Sequence, residues 1–292
     1  MRILYSLLLV GVTAVWGWTF VAVQAAIGLY SVLGFLAMRF AIAAAALAPF
    51  SVPKVTLKTF TVGAGIGLVL GLGYLLQTTG LLFTNPTNSG LITGLFVVFA
   101  PLADHLFFGV RPSRRVLVAV ALSLLGMVLL AGSGPDGAHV GDLLTLLCAG
   151  ALGLHIVLLS RYAYAYDALG LAFAQMLAMA LVFALFWPLF EPVAFPPREV
   201  WLVLAATGLI ASAGAFWAQS FVQQRIPATR TAVILTTESV FAALFGYWLA
   251  GDRLVPVQIL GGALILSALV GGEVLPVLTK KRKKTHEKGD AP

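Results

Sequence analysis

Charged and strongly polar residues are sparse along this chain, and long, almost unbroken apolar stretches lie between them. Bounded by charges, Gly and Pro, the stretches occupy residues 4–23, 33–50, 59–83, 89–108, 116–131, 142–162, 169–188, 200–223, 230–250 and 258–278. A helix needs about 20 mostly apolar residues to cross a bilayer, so the pattern predicts ten transmembrane helices. Strands of a membrane barrel would run about ten residues with alternating polarity, and Val116–Leu130 shows no alternation. The run after Met1-Arg2 exceeds the roughly 7–15-residue core of a signal peptide, and further runs follow it, so it reads as the first span.

Composition strengthens this picture. Of 292 residues, 60% are hydrophobic and 10% charged, with a mean hydropathy of +1.00. Too few polar side chains remain to cover a water-soluble globule, which excludes soluble enzymes and nucleic-acid-binding modules. The single cysteine, Cys148, excludes a disulfide framework and a cysteine-based metal site. The net charge of +7 carries no nucleic-acid signal, because six of the 18 basic residues sit in the tail between Lys280 and Lys288. With both termini cytoplasmic, 15 basic residues fall in inside segments and 2, Arg198 and Arg253, in outside loops, while Arg39 lies within a span. The tail, residues 279–292, reads as a basic cytoplasmic segment beside anionic headgroups.

Residues 85–130 can be laid over 227–272. Gly109-Val110-Arg111 then falls on Gly251-Asp252-Arg253, and Tyr74-Leu75-Leu76-Gln77 on Phe216-Trp217-Ala218-Gln219. Two five-helix units follow, 1–131 and 142–278, and because five is odd the second enters the membrane from the opposite face. This inverted repeat is common in secondary transporters, whose substrate site lies near the midplane between the halves.

Four segments carry a family resemblance: Trp16-Gly17-Trp18-Thr19-Phe20; Arg39 within Phe35–Phe40; Pro101 with Gly109-Val110-Arg111-Pro112; and Glu238-Ser239-Val240-Phe241 with Gly251-Asp252-Arg253 and Gly261-Gly262. Together they resemble the drug/metabolite transporter superfamily, specifically its ten-helix EamA-type members, which include bacterial amino-acid and metabolite exporters. The resemblance implies a central cavity formed by spans one, three, four, six, eight and nine, with five and ten as scaffold. Ser239 stands where the family usually has proline, so a kink in span nine must arise elsewhere.

The candidate substrate-binding residues are Trp16, Trp18, Tyr74, Gln77, His155, Trp217, Gln219 and Glu238. Tyr74 and Gln77 lie three apart on one helical face, as do Phe216 and Gln219, so an aromatic ring and an amide from each half can face a solute. Glu238 falls near mid-membrane, where a carboxylate costs on the order of 2.5–3.5 kcal/mol. It can bind a substrate ammonium, carry a proton, or pair with a structural residue. His155 is either its partner or a buried histidine bonded to a neighbour. Arg39 can meet a substrate carboxylate or cap a helix. The tryptophans form either an aromatic wall or interfacial anchors.

Gly67 and Gly71 belong to a small-residue stripe in span three, and Gly214 to a small-residue run in span eight; such faces permit close packing and make these spans gate candidates. Asn85, Pro86 and Asn88 lie in one turn between paired helices and Pro227 in the matching turn, and these are hinge candidates. No Walker sequence, metal-ligand cluster or phosphate loop is present, so no cofactor or metal is expected. The expected partners are a small-molecule substrate and the lipid bilayer, in a bacterial-type inner membrane. The sequence does not specify the oligomeric state. A drug or other metabolite (sugar-type) carrier of the same fold is the alternative, and an intramembrane enzyme using Glu238 and His155 as acid and base is the rival from another class.

Overall fold

The computed structural model describes residues 2–111, 114–131, 140–226, 231, 234–253 and 255–269. The basic tail, the hinge candidate Pro227 and the last residues of predicted span ten lie outside them. Within a bilayer every backbone N–H and C=O must be satisfied internally, and these apolar segments do so as helices. They are α1 (Arg2–Ile27), α2 (Val32–Ser51), α3 (Leu57–Gly80), α4 (Pro86–Thr93), α5 (Phe96–Phe108), α6 (Arg114–Ala131), α7 (Val140–Tyr162), α8 (Ala168–Phe190), α9 (Arg198–Ala206), α10 (Ala215–Gln223), α11 (Thr237–Phe245) and α12 (Pro256–Leu269). No strand occurs among the described residues. Seven helical stretches among them are long and apolar enough to cross a membrane. Helix occupies part of each of the ten predicted ranges.

Local chemistry sets the helix ends. The Thr56 and Asp167 side chains accept hydrogen bonds from Thr59 N and Gly170 N, so each caps the helix that follows. Asn85 does the same for Asn88 N, with Pro86 in the first turn, where its missing N–H costs nothing. The Glu191 carboxylate reaches across from the end of α8 to accept Leu33 N at the start of α2, 2.8 Å away. Beside it, Tyr30 donates to Ala194 O, and burial followed by the Glu191 charge pushes its phenol above the ordinary tyrosine value.

Four irregularities interrupt the helices. Predicted span four breaks between α4 and α5 at Gly94-Leu95, and predicted span nine turns at Thr236, just before α11. Gly94 and Thr236 are separated by the same offset that superposes Gly109 on Gly251, and both of those glycines are left-handed with φ 74°. The kink that Ser239 does not supply as a proline therefore lies three residues upstream. Predicted span eight is continuous from Arg198 to Gln223 but widens into a π-helix over Thr207–Gly214, and Gly246–Ala250 is a second π segment.

Glycines set how closely the spans approach. A Cβ on Gly67 would lie 2.7 Å from Gln175 Cα and 2.8 Å from Gln175 O, so α3 and α8 meet backbone to backbone. The Gly65 face meets nothing within 4 Å. Gly67→Ala is therefore expected to cost about 1–3 kcal/mol through overpacking, whereas Gly65→Ala should leave the unfolding midpoint in detergent within error of the parent. Equal melting of the two variants would remove the packing argument.

Candidate functional site

A small cavity of about 40 Å³ lies within the helical bundle. Its walls come from α1, α3, α5, α7, α10, α11 and Leu235, that is, from predicted spans one, three, four, six, eight and nine. Six of the eight candidate binding residues line it: Trp16, Tyr74, Gln77, His155, Gln219 and Glu238. Trp18 and Trp217 do not. Trp18 sits two residues, about 200° of helical turn, beyond the inward Trp16. Trp217 follows the inward Phe216, is 37% exposed, and packs on Phe221 with ring centroids 5.9 Å apart.

The aromatic wall is built around Phe216, whose ring meets Trp16 at 5.2 Å, Tyr74 at 6.0 Å and His155 at 6.0 Å between centroids. Trp16 Nε1 donates to Ala211 O at 2.8 Å, a carbonyl within the π segment of span eight. Gln77 donates to Thr93 Oγ1 at 3.2 Å, where α4 ends. His155 Nε2 lies 2.9 Å from Gln175 Oε1, and Gln175 Nε2 donates to Leu171 O. The amide orientation thus makes Nε2–H the donor and leaves Nδ1 as the acceptor. His155 and Glu238 share the cavity but form no hydrogen bond with each other.

Charge is where the cavity departs most from a packed interior. Glu238 lies in the first turn of α11, 7% exposed, and forms no hydrogen bond or ion pair with any described residue. Gln219 Oε1 is buried without a partner. Behind the wall, Arg39 is 1% exposed; its Nε donates to Ser212 Oγ at 2.9 Å and its Nη2 to the Tyr74 hydroxyl at 3.4 Å. The guanidinium lies 4.6 Å from the Tyr74 ring centroid and 5.5 Å from that of Phe40. No carboxylate among the described residues lies within ion-pair distance of it.

The gate and hinge candidates fall elsewhere. Gly71 borders a second, apolar cavity between α2, α3 and α8, of about 600 Å³. Gly67 packs on α8, and Gly214 is exposed, where an added Cβ would lie 3.5 Å from Leu209 O. Asn85 and Pro86 form the cap of α4, and Asn88 is buried with Oδ1 unpartnered. Sequence reasoning did not find the clamps near the cavity's two ends. Gln24 Nε2 donates to Leu81 O and Thr84 O at 2.9 and 2.8 Å. At the opposite end Gln224 Nε2 donates to Ala163 O and Tyr166 O at 3.0 and 2.9 Å, and Gln223 reaches Ser160 Oγ at 2.6 Å. It also passed over Thr19, Phe96 and Cys148, which line the cavity. Cys148, Leu152 and His155 recur at helical spacing on α7, a stripe that sequence alone could have disclosed.

Interrupted, apolar helices around a cavity whose carboxyl group is unpaired among the described residues fit a multi-pass membrane protein of the transporter class. The chain belongs to the EamA-like transporter family, whose model matches it over residues 3–132 and again over 139–271. A protein of Archaeoglobus fulgidus described as an uncharacterized transporter is 36% identical over 262 residues, covering 89% of this chain and 82% of its own. A Bacillus subtilis protein described as the uncharacterized transporter YoaV is 24% identical over 294 residues, covering 94% of this chain and 97% of its own. A crystal structure with 21% sequence identity superposes with a TM-score of 0.68, covering 91% of this chain and 96% of that one, and shows the fold.

Proposed function

We propose that this protein is a secondary transporter that exports amino acids or similar small metabolites across a bacterial-type inner membrane by alternating access. The observation that carries the reading is the Glu238 carboxylate, unpaired among the described residues, at the wall of a central cavity shared by both halves of the chain. A buried carboxylate is costly unless something compensates it, and a solute ammonium arriving in the cavity does so. Gln219 Oε1, also unpartnered, offers an acceptor to the same solute, while Trp16, Phe216 and Tyr74 supply apolar and aromatic contact to its side chain. In this reading the chain crosses the membrane ten times as two inverted five-helix repeats, with both termini cytoplasmic. The matching breaks at Gly94 and Thr236 and the matching left-handed caps at Gly109 and Gly251 support the repeat. In this reading the polar clamps of Gln24 at one end and of Gln223 and Gln224 at the other close the cavity in turn.

The test is counterflow of labelled amino acids by purified protein in liposomes, with and without an imposed pH gradient. Saturable exchange that is accelerated by unlabelled solute on the far side is expected, and flux that rises linearly without saturation would replace the carrier with a channel. No exchange of any amino acid would sink the substrate class.

A further inference from the structure

A carboxyl group and a guanidinium flank the cavity without pairing to each other. Glu238 faces it directly, while Arg39 lies one side chain behind the wall, covered by Tyr74. Arg39 spends its Nε on Ser212 and one Nη on the Tyr74 oxygen, and no anion among the described residues balances it. Because the Tyr74 oxygen accepts from the guanidinium, its own O–H hydrogen is left free, and no described acceptor takes it. Tyr74 is itself a lining residue, held by edge contacts to Phe40 at 5.1 Å and Phe216 at 6.0 Å.

We infer that Tyr74, polarised from behind by Arg39, forms the carboxylate subsite of the cavity, opposite the ammonium subsite at Glu238, so that the ligand class is a zwitterion rather than a simple amine or cation. The inference rests on the carrier reading above and narrows it. The phenol donates to the incoming carboxylate, and the guanidinium strengthens that donor by drawing charge from its oxygen. A zwitterion so placed compensates both buried charges at once, which neither an amine nor an uncharged solute can do. Arg39 acts through Tyr74 and is a positioning residue. The aromatic enclosure by Phe40 and Tyr74 holds the guanidinium in place where no carboxylate does.

The experiment compares, in reconstituted full-length protein, counterflow of the amino acid giving the largest signal with that of the amine left when its carboxyl group is replaced by hydrogen. The parent protein should exchange the amino acid and take the amine at least about 10-fold more weakly. Tyr74→Phe keeps the ring, the edge contacts and the cation–π contact, and removes only the hydroxyl. It should raise the half-saturation concentration for the amino acid about 10–100-fold, as expected for losing a hydrogen bond to a charged group, and leave that for the amine unchanged. Arg39→Lys, which keeps the charge but not the forked geometry, should give the same selectivity change in weaker form. A fold defect would depress both solutes together. Tyr74→Phe values that shift equally for both solutes, or for neither, would overturn the subsite while leaving the carrier standing, as would a parent protein that prefers the amine. Absence of counterflow for both solutes would sink the amino-acid class proposed above and the subsite with it.

Discussion

Glu238→Gln is expected to reduce saturable counterflow at least about 10-fold while the protein still inserts and melts no earlier than the parent. Glutamine keeps the size of the side chain and removes its charge. A carboxylate at this depth costs on the order of 2.5–3.5 kcal/mol, and no described residue compensates it, so the neutral variant should gain rather than lose stability. Function and stability then move in opposite directions, which a structural ion pair cannot produce: breaking such a pair strands the partner and destabilises by several kcal/mol. Counterflow in liposomes and thermal unfolding of the same preparation decide the matter. Unchanged exchange would remove Glu238 from the mechanism, and loss of exchange together with a lower midpoint would make its role structural.

Gly90→Ala should be among the more damaging single-methyl changes at the described residues. A Cβ there would run into the Cβ of Ala242 on α11, and Gly17 on α1 meets the same stretch of α11, its Cβ position 2.5 Å from Phe241 Cβ and 2.8 Å from Ala242 N. Ala242 has no rotamer with which to yield, so the helices must separate. That strains the hydrogen bond from Ser239 Oγ to Gly90 O, 2.9 Å long. Overpacking of this kind costs about 1–3 kcal/mol, and Gly90→Leu should fail to accumulate in the membrane. Combining Gly90→Ala with Ala242→Gly returns the space, so the double variant should recover most of the unfolding midpoint. A double-mutant cycle with no coupling would show that the contact is not what limits stability.

These predictions draw on features of uneven legibility. The ranges of the apolar runs are legible because bilayer thickness fixes their length, and a described helix occupies part of each. The pairs Tyr74–Gln77 and Phe216–Gln219 are legible as single faces, because three residues bring a helix almost back to the same side. The same periodicity separates Trp18 from Trp16 and Trp217 from Phe216, so gathering the tryptophans by residue type alone overreaches. Breaks at Gly94 and Thr236 carry no proline signal; they depend on how α4 and α11 pack, with Ser239 Oγ bonded to Gly90 O in place of a ring-enforced kink. The partners of Arg39 were beyond sequence reasoning for a similar reason. Ser212 is presented by a π-helical turn, and the wider turn displaces the residues after it from the positions a regular helix would assign.

The offset that matches Gly109 with Gly251 also places Phe96 opposite Glu238, and both line the cavity. In the two-repeat reading, matching positions thus carry a carboxyl group in one half and a phenyl ring in the other. For a carrier that exchanges the conformations of its halves, the solute then meets different surroundings from each side of the membrane, and its half-saturation concentrations on the two sides differ. Such a difference cannot accumulate solute by itself. Detailed balance requires the ratio of maximal rate to half-saturation to be equal in the two directions of an uncoupled carrier, so the side that binds more weakly is the side from which transport at saturation is faster.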